Sequence, residues 1–257
     1  MGNKAALVTG GASGIGLALS RELAEQGYTV ILTDANLEAA QAAAETLCGE
    51  GLSAVPHRLD VCSDEDIAGV VDSLEKDQLQ VSVLVNNAGI QHVSKLEDFP
   101  VDRWRLINNV LLVGPAMLTR ALLPMMRQQN FGRIINVGSI HSLVASAHKS
   151  AYVAAKHGLL GFSKVVALET ADQNITINTL CPSYVKTPMV EKQIANQAKE
   201  NGISEEDVVY KIMLEPMPKK SFIEMDELSG AMSYLISDVA RNITGQEIVL
   251  DGGWTAR

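Results

Sequence analysis

A chain of 257 residues that is 47% hydrophobic and carries no strong linker is long enough to bury one large α/β core as a single domain, 1–257. Its formal net charge of −9 argues against nucleic acid or an anionic membrane as a partner, since both select a basic surface. No apolar run approaches the ~20 residues of a membrane span. Met1-Gly2-Asn3-Lys4 leads into the first strand without a charged-then-apolar leader, so the expectation is a cytoplasmic protein. Cys48, Cys62 and Cys181 are odd in number and far apart, which reads as reduced structural thiols, and no histidine has metal-ligand spacing, so no metal is expected.

In chain order, strands are predicted near 4–9, 28–33, 53–59, 81–86, 132–138, 174–180 and 246–250. Helices are predicted near 14–26, 36–49, 63–78, 101–128, 150–171 and 225–239. That alternation implies a parallel sheet with helices on both faces. The first strand runs into Thr9-Gly10-Gly11-Ala12-Ser13-Gly14-Ile15-Gly16 and then a helix. Glycines there allow a tight turn and close backbone approach, and the helix start faces a pyrophosphate. Asp34 ends the second strand about 20 residues on, where a carboxylate accepts hydrogen bonds from ribose hydroxyls and repels a 2′-phosphate, which favours NAD. No cation at Ser13, Ala35 or Asn36 offsets that repulsion.

Asn86-Asn87-Ala88-Gly89 forms a second turn at the end of the fourth strand, and Ser139 follows the fifth. Tyr152 and Lys156 stand four apart on a predicted helix, hence on one face. A phenol titrates near pH ~10, so it needs a close positive charge, which Lys156 can provide, before it acts as a base near neutrality. Such a pair on its own is usually a surface contact. Residues 187–223 form a polar insertion suited to a lid over a substrate. The helix 150–171 also carries Leu159, Leu160, Phe162, Val165 and Val166, more apolar surface than one sheet face needs, which points to a subunit contact.

Together, in this order from Lys4 to Gly253, these motifs resemble the short-chain dehydrogenase/reductase family. The resemblance implies a Rossmann-type, doubly wound, three-layer α/β/α fold with seven parallel strands in the order 3-2-1-4-5-6-7. It implies an NAD-dependent oxidoreductase with Tyr152 as acid/base, Ser139 stabilising the carbonyl, and Lys156 lowering the Tyr152 pKa and holding the nicotinamide ribose. Cofactor contacts are implied for Thr9, Gly10, Ser13, Gly14, Ile15 and Gly16, for Asp34, and for Asp60 and Val61 at the adenine. Further contacts are implied for Asn87, Ala88 and Gly89, and for Pro182, Val185 and Thr187 near the carboxamide. Ser183 stands where the family usually has glycine. An asparagine of the long helix commonly completes a water relay behind the lysine, but seven residues beyond Trp104 stands Leu111, and Asn108 and Asn109 point elsewhere if the helix is regular. Either the relay is built differently or the alignment is shifted.

Gln91, His141, Lys149 and Gln193 can all face the pocket, and two amides, an imidazole and an ammonium make a clamp for a small carboxylate. In the branch of the family acting on short 3-hydroxy acids, the matching residues hold the carboxylate beside the serine and tyrosine. A lone lysine at a helix start or a lone lid glutamine is more often solvated; their joint occurrence is the signal. A 3-oxoacyl thioester, sugar or polyol reductase, and a non-catalytic NAD-binding regulator, remain alternatives. The resemblance also implies a homotetramer assembled through helix 150–171 and the last strand. Trp254 either closes the pocket floor or packs at a subunit contact.

Overall fold

The computed structural model describes residues 4–256; Met1-Gly2-Asn3, on which the expectation of no leader rests, lie outside them. The first half of the fold comprises β1 (Lys4–Thr9), α1 (Gly14–Glu25), β2 (Thr29–Asp34), α2 (Leu37–Gly49), β3 (Ala54–Arg58), α3 (Asp64–Lys76) and β4 (Gln80–Asn86). It continues through α4 (Val101–Asn108), α5 (Gly114–Gln129), β5 (Gly132–Val137), α6 (Ser150–Glu169) and β6 (Ile175–Pro182). α7 (Pro188–Asn201), α8 (Glu205–Val208), α9 (Met225–Ile236) and β7 (Glu247–Leu250) follow. All seven strands pair parallel in the order β3-β2-β1-β4-β5-β6-β7. The order reverses between β1 and β4, so the connections leaving them diverge and open a crevice at their carboxyl ends.

Alternation along the strands feeds two apolar layers. Ala6, Val8 and Leu32 pack with Leu19 and Leu23 of α1, Leu47 of α2 and Met232 of α9. Ala5, Leu7 and Ile31 face the other way, onto Val70 and Leu74 of α3, Leu118 and Leu122 of α5, and Val166 of α6. Central strands β5 and β6 are buried along their whole length, as a parallel sheet covered on both faces requires.

Two expectations need correcting. The helix over 101–128 is not regular: α4 and α5 are joined by a π-helical turn, Asn109–Val113. The wider turn carries the helix into close contact with the β3–α3 connection, where a Cβ on Gly114 would lie 2.8 Å from the Val61 carbonyl oxygen. The same element, Val101–Gln129, is long and apolar enough by length and composition to cross a membrane, an 18-residue stretch of it having a mean hydropathy of 1.5. It nevertheless packs against β4, β5, α3 and α6, which is why it is so apolar. On α6, Leu159 and Val166 belong to the core and Phe162 packs against it, so the exposed apolar residues there are Val165 and Leu168.

The 187–223 segment folds as α7, α8 and a second π turn, Val209–Met213, around Ile194, Val208 and Met213. It is tied back where the Ile223 N–H donates to the Tyr184 carbonyl.

Candidate active site

Gly10 (φ +61°) and Gly14 (φ +53°) adopt left-handed backbone, and a Cβ on Gly16 would lie 2.1 Å from the Gly10 carbonyl oxygen. Only glycine lets this turn close against the start of α1. Thr9 braces it from below, its Oγ1 accepting from the Asn87 and Ala88 N–H groups at 3.0 Å each. The Asn87 side-chain amide donates to the carbonyls of Thr9 (2.9 Å) and Gly10 (3.1 Å), joining the two strand ends that flank the crevice. That bracing role was not foreseen from the sequence, because it pairs turns 78 residues apart.

One cavity of about 290 Å³ runs from this turn across the carboxyl ends of the strands. Gly10, Ser13, Gly14, Ile15 and Asp34 line one end, and Asn87, Ala88 and Gly89 the floor. Pro182, Val185 and Thr187 line the side next to the start of α7. Thr9 and Gly16 support the turn from behind. Asp60 and Val61 do not line the cavity: Asp60 accepts the Cys62 N–H at 2.9 Å, and Val61 is buried against Gly114. Ser183 fits without a left-handed backbone, its N–H donating to the Leu250 carbonyl at 2.8 Å. A glycine cradle at a helix start, with a carboxylate where a ribose would end, fits a nicotinamide dinucleotide.

Ser139, Tyr152 and Lys156 meet at the middle of the same cavity. Ser139 begins a short 3₁₀ turn, Ile140–Ser142, after β5, and its N–H donates to Ser142 Oγ at 3.2 Å. α6 is locked to the sheet by a buried polar ladder. Asn86 Nδ2 donates to Asn136 Oδ1 (2.8 Å), Asn136 Nδ2 to Ser163 Oγ (2.9 Å), and Ser163 Oγ to the Leu159 carbonyl (2.8 Å). Lys156 donates to the Val137 carbonyl at 2.5 Å, and its Nζ stands 5.7 Å from the Tyr152 ring centre. Burial lowers the Lys156 pKa to about 8.

Burial also raises the Tyr152 phenol above its ordinary value, partly offset by a hydrogen bond with Ser139. Desolvation is the larger of these two effects. Leu111, in the π turn, is buried and lines the cavity beside Gly89. Asn108 donates to the Trp104 carbonyl at 2.9 Å and Asn109 is exposed, so neither asparagine reaches the site even though the helix is irregular.

At the far end stand Gln91, His141, Lys149 and Gln193. Lys149 is only 7% exposed, and burial lowers its pKa to about 8. The nearest aromatic contact of its Nζ is the Tyr184 ring, 5.7 Å away. Nε2 of Gln91 and of Gln193 are buried with no hydrogen-bond partner. Tyr184 and Val190, which sequence reasoning did not single out, line the same end. Trp254 stacks on Tyr184 (6.2 Å between ring centres) and meets His141 edge-on at 6.1 Å, which puts it behind the pocket wall.

A serine, a phenol and a buried lysine beside a dinucleotide cradle are equipped to move a proton where a hydride is exchanged, which is oxidoreductase chemistry. The family model described as short chain dehydrogenase matches residues 4–198, and the chain belongs to that family, whose members use nicotinamide cofactors. It is 44% identical to a D-beta-hydroxybutyrate dehydrogenase of Rhizobium meliloti (strain 1021), with 99% of each chain covered. It is 43% identical to a protein of the same name from Cupriavidus necator, with 100% of each covered. Among solved structures, an actinorhodin polyketide ketoreductase variant with NADPH superposes with a TM-score of 0.94 at 30% identity, covering 99% of this chain and 98% of that one.

Proposed function

We propose that this protein interconverts D-3-hydroxybutyrate and acetoacetate with NAD. The observation carrying the reading is the set of unmet donors at the far end of the cavity. Among the described residues no carboxylate lies within ion-pair reach of buried Lys149, and the amides of Gln91 and Gln193 lack partners. One charge and two directed amides, in the cavity that holds Tyr152, suit a small carboxylate and suit a long acyl chain poorly. The names of the two relatives above support the same acid.

NAD, when bound, supplies the hydride acceptor and one positive charge. Tyr152 takes the hydroxyl proton as the carbonyl forms, Ser139 donates to that oxygen, and Lys156 holds the ribose and favours the phenolate. Asp34 favours NAD over NADP, with no side-chain cation at Ser13, Ala35 or Asn36 to receive a phosphate. The 187–223 segment serves as the lid, contributing Thr187, Val190 and Gln193 to the lining.

The test follows NADH formation with NAD and each enantiomer of 3-hydroxybutyrate. The D enantiomer alone is expected to react; no NADH from either, with NAD still bound, would overturn the substrate. We also propose a cytoplasmic homotetramer, supported by the exposed apolar residues Leu106, Val113, Val165 and Leu168 on the α4–α5 element and α6. A monomer by light scattering across working concentrations would reject it.

A further inference from the structure

A second cavity, of about 280 Å³, is lined by Ile90, Gln91, His92, Arg103 and Ile107. Ile90 and Gln91 line the active-site cavity as well, so these two residues form a wall common to both. Arg103 stands one helical turn before Ile107 on α4, which puts both side chains on one face of the helix. The β4–α4 connection that carries Gln91 and His92 is held toward the substrate end: the Ser94 N–H donates to the His148 carbonyl, immediately before Lys149, at 2.9 Å. Arg103 is exposed, and His92 is half-buried with its ring edge-on to Phe99 at 5.1 Å. Among the described residues no carboxylate lies within ion-pair reach of either.

We propose that this cavity is an outer carboxylate site, where Arg103 and His92 receive the acid before it passes Gln91 to Lys149. The proposal rests on the reading of the substrate as a small hydroxy acid. Lys149 is 7% exposed, so an acid arriving from water does not meet its charge first. The chain carries 30 acidic and 21 basic residues, so its average field repels an anion, and capture calls for a local cation on the approach. The Arg103 guanidinium offers a planar fork of N–H groups that matches a carboxylate, and because it is exposed the pair is weak enough to release again. Gln91 Nε2, buried with no partner, is free to donate to the acid as it crosses the shared wall. Beyond that wall Lys149 is the stronger partner, because the same pair of charges attracts more where water is excluded. Arg103 therefore governs how fast the acid is captured, and leaves the rate of hydride transfer alone.

The test measures kcat/KM for D-3-hydroxybutyrate at saturating NAD across a salt series, in the unmodified protein, Arg103→Gln and Arg103→Lys. At low salt Arg103→Gln is expected to lower kcat/KM by about 3–10-fold with kcat unchanged, as loss of a steering charge does. The deficit closes as salt shortens the screening length from about 10 Å at 0.1 M to about 3 Å at 1 M, and Arg103→Lys, which keeps the charge, recovers most of the loss. A kcat/KM that Arg103→Gln leaves unchanged, or a deficit that salt does not close, overturns the outer site. If the unmodified protein does not turn over 3-hydroxybutyrate, the substrate reading alone has failed, and fluorine-19 line broadening of trifluoroacetate decides, read in Lys149→Met so that the inner charge is absent. Broadening that falls when Arg103→Gln is added supports the outer site; broadening that Arg103→Gln leaves unchanged overturns it.

Discussion

Tyr152→Phe is expected to lower kcat for alcohol oxidation by about 10²–10⁴-fold, the span that a positioned acid/base contributes, with NAD affinity nearly unchanged. Phenylalanine keeps the ring that packs on the cluster of Leu111, Ala151 and Ala155, so the fold and the cradle at the other end of the cavity stay intact. Only the hydroxyl is removed. Stopped-flow NADH formation paired with a calorimetric NAD titration checks both halves, and a variant keeping more than about a tenth of the rate removes Tyr152 from the acid/base role. The pH dependence has a definite sign. Oxidation needs the phenolate, and burial raises the phenol above its ordinary value, so the rate climbs with pH toward a plateau.

The parts of this site that could be read in the sequence are those whose signal is local. Tyr152 and Lys156 share a helix face by their spacing alone, and the glycines announce the turn before α1. The strand order was legible only through family resemblance, because nothing in a run such as Ile134-Ile135 says which neighbour it will take. The π turn left no trace, since one extra residue in a turn shifts an apolar stripe too little to separate from a regular helix. The contact that goes with it, Gly114 against Val61, joins residues 53 apart and is visible only in three dimensions. Asp60 and Val61, implied at the adenine, lie outside the cavity lining, with Val61 packed against Gly114 of the long helix. The effect of burial on the phenol was not legible for a similar reason: charge spacing can be read from sequence, whereas desolvation depends on everything packed around the group.

Lys149→Met should show the converse of a structural role: a site that binds worse in a protein that folds better. KM for 3-hydroxybutyrate is expected to rise by about 10–10²-fold, the worth of a hydrogen bond to a charged group, while kcat changes little. Burial holds the Lys149 ammonium at about 8, below its ordinary 10.5. Because the folded-state value is depressed, the unfolded chain binds more protons between those values, so the unmodified protein gains stability as pH rises through that window. Below it the full penalty of a buried, unpartnered charge is present, and methionine, of similar length and apolar, removes it. At neutral pH the variant should therefore be more stable by about 1 kcal/mol and unfold at a higher temperature. The same titration acts on binding with the opposite consequence: affinity of the unmodified protein for the acid falls as pH rises past about 8, and Lys149→Met abolishes that dependence. A charge held in the interior against its own solvation, with no carboxylate of the chain beside it, is explained by a carboxylate that arrives with the substrate. An unchanged KM together with a lowered melting temperature would show instead that Lys149 serves the fold.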